Sequence, residues 1–214
     1  MPEAKIKAAV FDLGNVLVDF DHTIAAGRIA PFADISAEEI FALFFDSPVT
    51  GLFEEGKIPP QEFFAQVKEM LGLRIDYPRF LPIWNEIFFL SQKNRDTYAF
   101  AALLKNKFPL AMITNINVLH LEYLRANFDV FSIFYHIIAS CEVGARKPDP
   151  LIYRQALRLL DVDARELFYS DDRPELVKAA RGLGIEAVVF TGVEKLKSDL
   201  ASVGVSIQEK DYVR

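Results

Sequence analysis

Five short apolar runs punctuate the chain, at residues 7–11, 110–114, 136–140, 167–170 and 187–190, and each ends in polar or glycine-containing turn residues. Longer segments of helical period separate them. That alternation predicts a parallel sheet built from strand–helix–strand units, and therefore an α/β fold. In open sheets of this kind, ligands bind beyond the carboxyl ends of the strands. Those ends carry Asp12, Thr114 with Asn115, and Asp171 with Asp172.

Residues 12–109 lie between the first and second runs, far more chain than one crossover helix needs. Helical periodicity fills much of this stretch, as in residues 37–45 and 61–71, with breaks at Ser47-Pro48 and Ile58-Pro59-Pro60. An inserted helical domain is expected over residues 19–91, and an α/β core over residues 1–18 and 92–214. Twelve of the 19 phenylalanines lie between Phe20 and Phe100, enough aromatic area for a few short helices to share a core, with Trp84 among them.

The composition, 51% hydrophobic and 25% charged over 214 residues, is that of a folded globular chain and excludes disorder or a disulfide miniprotein. A net charge of −6 with scattered Lys and Arg argues against nucleic acid or an anionic membrane as partner. No window approaches the roughly 20 apolar residues of a spanning helix, and the start of the sequence shows no leader-like apolar segment. Cys141 is the only cysteine, which rules out an intrachain disulfide and a cysteine-based zinc site; a reducing, cytoplasmic setting is expected.

Candidate chemistry gathers in four places. Asp12 ends the first run and is followed by Gly14-Asn15, a turn that lets backbone approach a ligand; capping that turn is the competing role. Thr114-Asn115 follows the second run, as an N-cap for the helical stretch 117–125 or as a polar contact at the sheet edge. In Arg146-Lys147-Pro148-Asp149-Pro150 the prolines restrict the backbone and fix Lys147 just before a helix capped by Asp149. Asp171-Asp172 places adjacent carboxylates at a strand end, where repulsion calls for a cation or a proton, and a hard cation such as Mg²⁺ suits oxygen ligands.

With these four motifs in this order, the chain resembles the haloacid dehalogenase superfamily of phosphohydrolases over nearly its whole length. The resemblance implies a three-layer Rossmann-like core with a helical cap, and a small phosphorylated molecule as substrate. It implies Asp12 as the nucleophile forming an aspartyl-phosphate, with Thr114 and Lys147 catalytic and Asn15 and Asn115 at the phosphate. Mg²⁺ would be held by Asp12, the Gly14 carbonyl, Asp172 and, through water or from behind, Asp171. The first motif also resembles that of a bacterial subgroup that includes α-D-glucose-1-phosphate phosphatase, which favours sugar phosphates, anomeric ones included.

Two positions depart from the family pattern. Gly14 stands where most phosphatase members carry an aspartate acting as general acid and base, a loss typically worth about 10² to 10⁴ in rate. Asp19, Asp21 and His22 are the nearby candidates to replace it. Leu176 stands where many relatives support the metal with Asp or Asn. Gly14 would suit a metal-independent haloacid dehalogenase, and a weakly active binding protein of the same fold is a further alternative, but the Asp171-Asp172 pair would repel an anionic haloacid. His120 and His136, in apolar surroundings, are expected to be structural.

Overall fold

The computed structural model describes residues 6–45 and 47–205; the outer ends expected for the core, residues 1–5 and 206–214, lie outside the described residues. β1 (Ala8–Phe11) is wholly buried, and its alternate residues feed two different cores. Ala9 and Phe11 pack on one face of the sheet, Ala8 and Val10 on the other, as the two-residue period of a strand requires.

Between β1 and the rest of the sheet comes the helical insertion. β2 (Asp19–Phe20) leads into α1 (His22–Ile29), α2 (Ala37–Phe45), α3 (Pro48–Glu54), α4 (Pro60–Leu71) and α5 (Tyr77–Asn85), and the chain returns through β3 (Phe88–Phe89). β2 and β3 pair antiparallel, Asp19 with Phe89 and Phe20 with Phe88, so the chain leaves and re-enters through one two-stranded ribbon. The Ser47-Pro48 and Pro59-Pro60 breaks turn out to be helix starts. Ser47 caps α3 by accepting from the Thr50 amide, with Pro48 in the first turn where its missing N–H is not needed.

The helices close over an aromatic core. Phe53 stacks on Phe63 at 4.2 Å between ring centres, and Trp84 meets Phe44 at 4.8 Å and Phe63 at 4.9 Å. All four rings are buried.

The α/β unit continues with α6 (Gln92–Leu104), β4 (Leu110–Thr114), α7 (Val118–Asn127), β5 (His136–Ala139), α8 (Ser140–Val143), α9 (Pro150–Leu160), β6 (Leu167–Asp171), α10 (Pro174–Gly182), β7 (Glu186–Val189) and α11 (Val193–Ser202). The five long strands form one parallel sheet in the order β5-β4-β1-β6-β7, the Rossmann-like arrangement. The third run is a residue shorter than expected: Ser140 leaves the sheet and begins α8. Because β4 and β6 flank β1, connections depart to opposite sides there, and the crevice at this switch point lies between the carboxyl ends of the three strands.

Leu119 of α7 joins the aromatic core of the helical insertion, and His120 ties the two units together. Its Nε2–H donates to the Trp84 carbonyl at 2.9 Å, while Nδ1 accepts from the Asn117 amide at 3.0 Å. Burial pushes this imidazole down to about 3, so it is neutral and structural. Removing a stacked ring from the aromatic core should cost about 3–5 kcal/mol. Urea denaturation of Phe63→Ala is the measurement, and a loss below about 1 kcal/mol would contradict the packing described.

Candidate active site

Asp12 is the first residue beyond β1, held at the sheet edge by its own amide, which donates to the Ser170 carbonyl at 2.9 Å. Lys147 enters from the far side of the crevice. Its ammonium donates to Asp12 Oδ1 at 2.7 Å, to Asp171 Oδ2 at 2.6 Å and to the Ile113 carbonyl at 3.3 Å, and the side chain is 1% exposed. Burial alone would lower the Lys147 ammonium, but the Asp12 and Asp171 carboxylates reverse this and hold it above its ordinary value. Burial conversely raises Asp12, against the pull of Lys147 and with the help of Asp171.

Asp171 is fully buried. Besides Lys147, it accepts from the Tyr169 hydroxyl on Oδ2 and from the Arg173 amide at 2.9 Å on Oδ1. Asp172 faces the cleft instead, where the Asn15 amide donates to it at 3.2 Å. Burial and Asp171 raise the Asp172 carboxyl, and the Asn15 hydrogen bond opposes them.

The supporting amides do more specific work than the motifs suggested. Asn15 takes a left-handed backbone (φ 56°), which asparagine tolerates, and its side chain is directed at Asp172. The Asn115 side chain clamps the backbone of Lys147, accepting from its N–H at 2.7 Å and donating to its carbonyl at 2.9 Å. The cap of α7 is Asn117, whose Oδ1 accepts from the His120 amide, and not Thr114 or Asn115. That leaves Thr114, buried at the end of β4, facing the cleft. The Lys147–Pro148 peptide is cis.

Carboxylate oxygens of Asp12, Asp171 and Asp172 lie within 4.8 Å of one another. Three carboxylates against one ammonium leave two negative charges, and an all-oxygen donor set with that excess fits a hard divalent cation. Asp12 and Asp172 are the members open to the cleft, while Asp171 backs Lys147.

A cleft of about 780 Å³ opens above this centre, lined by Asp12, Thr114, Lys147 and Asp172 below and by His22, Glu54 and Glu55 of the helical insertion above. A recess of about 70 Å³ continues from it between Leu13, Phe20, Trp84, Ile87 and Phe88. Gly14 is walled in: a Cβ there would fall 2.8 Å from Phe20 Cε1, so the ring fills the space a longer side chain would need.

Of the three residues considered as replacements for an acid at position 14, Asp19 is engaged with Lys93 at 2.9 Å and Asn94 at 3.1 Å, and Asp21 caps α1. His22 does line the cleft, but burial pushes it down to about 4, so at neutral pH it carries no acidic proton. Tyr169, which no sequence motif marks, lies two residues before Asp171 on β6 and so projects from the same face. Leu176 lines the cleft and contributes its carbonyl to the Tyr153 hydroxyl at 3.1 Å.

An ammonium buried among carboxylates at a sheet switch point, beneath a helical roof, defines a capped α/β enzyme centre built to handle concentrated negative charge. Residues 6–184 match the family described as haloacid dehalogenase-like hydrolase, and the chain belongs to that family. It is 28% identical to a sesquiterpene phosphatase of Aspergillus oryzae over 86% of this chain and 90% of that one. It is 21% identical to a D-ribitol-5-phosphate phosphatase of Bacteroides thetaiotaomicron, over 85% of this chain and 90% of that one. Another relative, a drimenol cyclase of Aspergillus calidoustus, is a longer protein: at 23% identity the match covers 96% of this chain and 38% of that one.

Among solved structures, a family enzyme of Bacteroides thetaiotaomicron in complex with magnesium and inorganic phosphate superposes with a TM-score of 0.74 at 25% identity, covering 87% of this chain and 95% of that one. The protein is thus a hydrolase of the phosphatase-containing family, and among the described residues no helix is long and apolar enough to cross a membrane.

Replacing Lys147 by Met leaves Asp12 and Asp171 buried without their counter-charge, and should destabilise the protein by about 3–5 kcal/mol at neutral pH. Chemical denaturation checks this, and a change within about 0.5 kcal/mol would contradict the pairing.

Proposed function

We propose that the enzyme is a Mg²⁺-dependent phosphatase of small phosphomonoesters, working through an aspartyl-phosphate on Asp12. The observation that carries this reading is the Lys147 ammonium bridging Asp12 and Asp171 beside Thr114 at the floor of the cleft. Lys147 occupies Asp12 Oδ1, which leaves Oδ2 to attack phosphorus as the ester oxygen departs. The Thr114 hydroxyl and the Asn115 backbone N–H would hold the equatorial phosphoryl oxygens, and Lys147 would offset the charge that concentrates there. Water then attacks the acyl phosphate and restores Asp12.

Asp12, Asp172 and the Gly14 carbonyl would hold Mg²⁺, with Asp171 outside the coordination sphere. The ion supplies charge neutralisation at the phosphoryl group. Support comes from the excess of carboxylates and from the magnesium and phosphate bound by the related Bacteroides enzyme. The same carboxylates weigh against the dehalogenase reading, because they repel the carboxylate of a haloacid.

For the substrate, a wide cleft bordered by Glu54, Glu55, Arg146 and Arg173 favours a polyhydroxylated phosphate ester, a sugar phosphate with anomeric esters included. The ribitol-phosphate relative is consistent with that choice. The apolar recess favours a second reading, the phosphate of an apolar alcohol, in keeping with the sesquiterpene relative.

Phosphate release from a panel of sugar, polyol, isoprenyl and aryl phosphates is expected to need Mg²⁺, to stop in EDTA, and to vanish in Asp12→Asn. Turnover surviving either treatment would sink the proposal; the preferred alcohol decides between the two substrate readings.

A further inference from the structure

Hydrolysis of an alkyl phosphate expels a poor leaving group, and a proton delivered to the departing oxygen is normally worth about 10² to 10⁴ in rate. Position 14 cannot deliver it, since Gly14 has no side chain and Phe20 fills the space beside it. Among the described residues that line the cleft from the helical insertion, His22, Glu54 and Glu55 are titratable. His22 is neutral, as its burial dictates. Glu55 turns to Lys57, at 2.6 Å.

Glu54, the last residue of α3, is placed differently. Its backbone carbonyl accepts from Ser140 Oγ at 2.6 Å, and the same Oγ accepts from the Ile116 amide at 2.9 Å. One hydroxyl therefore pins Glu54 to the loop that follows Thr114, at Ile116. The side chain meets Arg146, whose Nη1 donates to Oε2 at 3.2 Å, and Arg146 immediately precedes Lys147. Two residues on, Gly56 lies so close to α8 that a Cβ would fall 2.2 Å from the Cys141 carbonyl oxygen, which seats this turn firmly on the α/β unit. Glu54 lines both the cleft and the recess, and it is 24% exposed at the side chain.

We infer that Glu54 replaces the missing carboxyl at position 14 as general acid and base. The inference rests on the phosphatase reading above. In the first step the Asp12–phosphorus bond forms, the bond from phosphorus to the ester oxygen breaks, and the Glu54 carboxyl proton passes to that oxygen, releasing a neutral alcohol. In the second step the Glu54 carboxylate takes a proton from the attacking water, the acyl phosphate opens to phosphate and Asp12, and Glu54 is again protonated. Burial raises the Glu54 carboxyl, against the opposing pull of Arg146 and Arg173 and with the help of Glu55.

The test compares wild type, E54Q and E54D on 4-nitrophenyl phosphate, whose leaving group needs no proton, and on an alkyl phosphate that the wild type hydrolyses. Gln keeps an acceptor for Arg146, so the contact survives while the proton donor is lost. E54Q should lose about 10² to 10⁴ in kcat on the alkyl ester and less than about tenfold on the aryl ester. E54D, which keeps a carboxyl, should recover part of the alkyl activity. An equal loss on both esters, or none, overturns the role of Glu54 while the aryl turnover, absent in Asp12→Asn, leaves the phosphatase reading intact. A wild type without Asp12-dependent turnover of either ester overturns both. Thermal melts of the two variants matching wild type exclude misfolding as the cause of a loss.

Discussion

A single ammonium group buried between two carboxylates holds this centre together. Lys147 is taken from water almost completely, which is unfavourable for a charge unless several partners replace the solvent. Asp12, Asp171 and the Ile113 carbonyl do so, and they come from three different strands or their ends. Each partner is itself fixed: Asp12 by the sheet, Asp171 by Tyr169 and the Arg173 amide, Lys147 by the clamp of Asn115. The ion pair therefore ties the switch-point strands to the loop before α9, and the cleft above inherits its shape from that tie.

The helical insertion completes the site from the other side. Its aromatic core gives it internal rigidity, and His120 and the Ser140–Glu54 contact set where it rests on the α/β unit. Both contacts use side chains in the first turns of the helices that follow β4 and β5, His120 in α7 and Ser140 in α8, so the roof rests on the same end of the sheet that bears the polar cluster.

Much of this was legible beforehand. The apolar runs gave the strands to within a residue or two, because buried parallel strands are nearly continuous in hydrophobicity. Asp12, Thr114, Lys147 and the Asp171-Asp172 pair stood out because each follows a strand or a proline-restricted turn. What escaped were relations between distant side chains: the Asn115 clamp, the direction of the Asn15 amide, the Tyr169 hydroxyl behind Asp171. Asparagine and tyrosine leave no periodic trace, and which partner they meet depends on rotamers fixed only after the sheet assembles. Proline marked the break between α2 and α3 at Ser47-Pro48, but its place in the first turn of α3 shows only in the structure. The helix containing Pro78 and Pro82 was hidden for the same reason.

The ring of Phe20 limits what can stand at position 14. It sits in the ribbon through which the chain enters the helical roof, beside Phe88 at 6.2 Å, and it occupies the volume next to Gly14. Positions 14 and 20 are therefore not free to drift separately. A side chain at 14 would have to push the Phe20 ring aside, and shrinking residue 20 alone would open a void beside Gly14. The ribbon that carries the chain into the helical roof thereby also sets how much room the floor has beside Asp12, so a change of residue at either position is felt at the other.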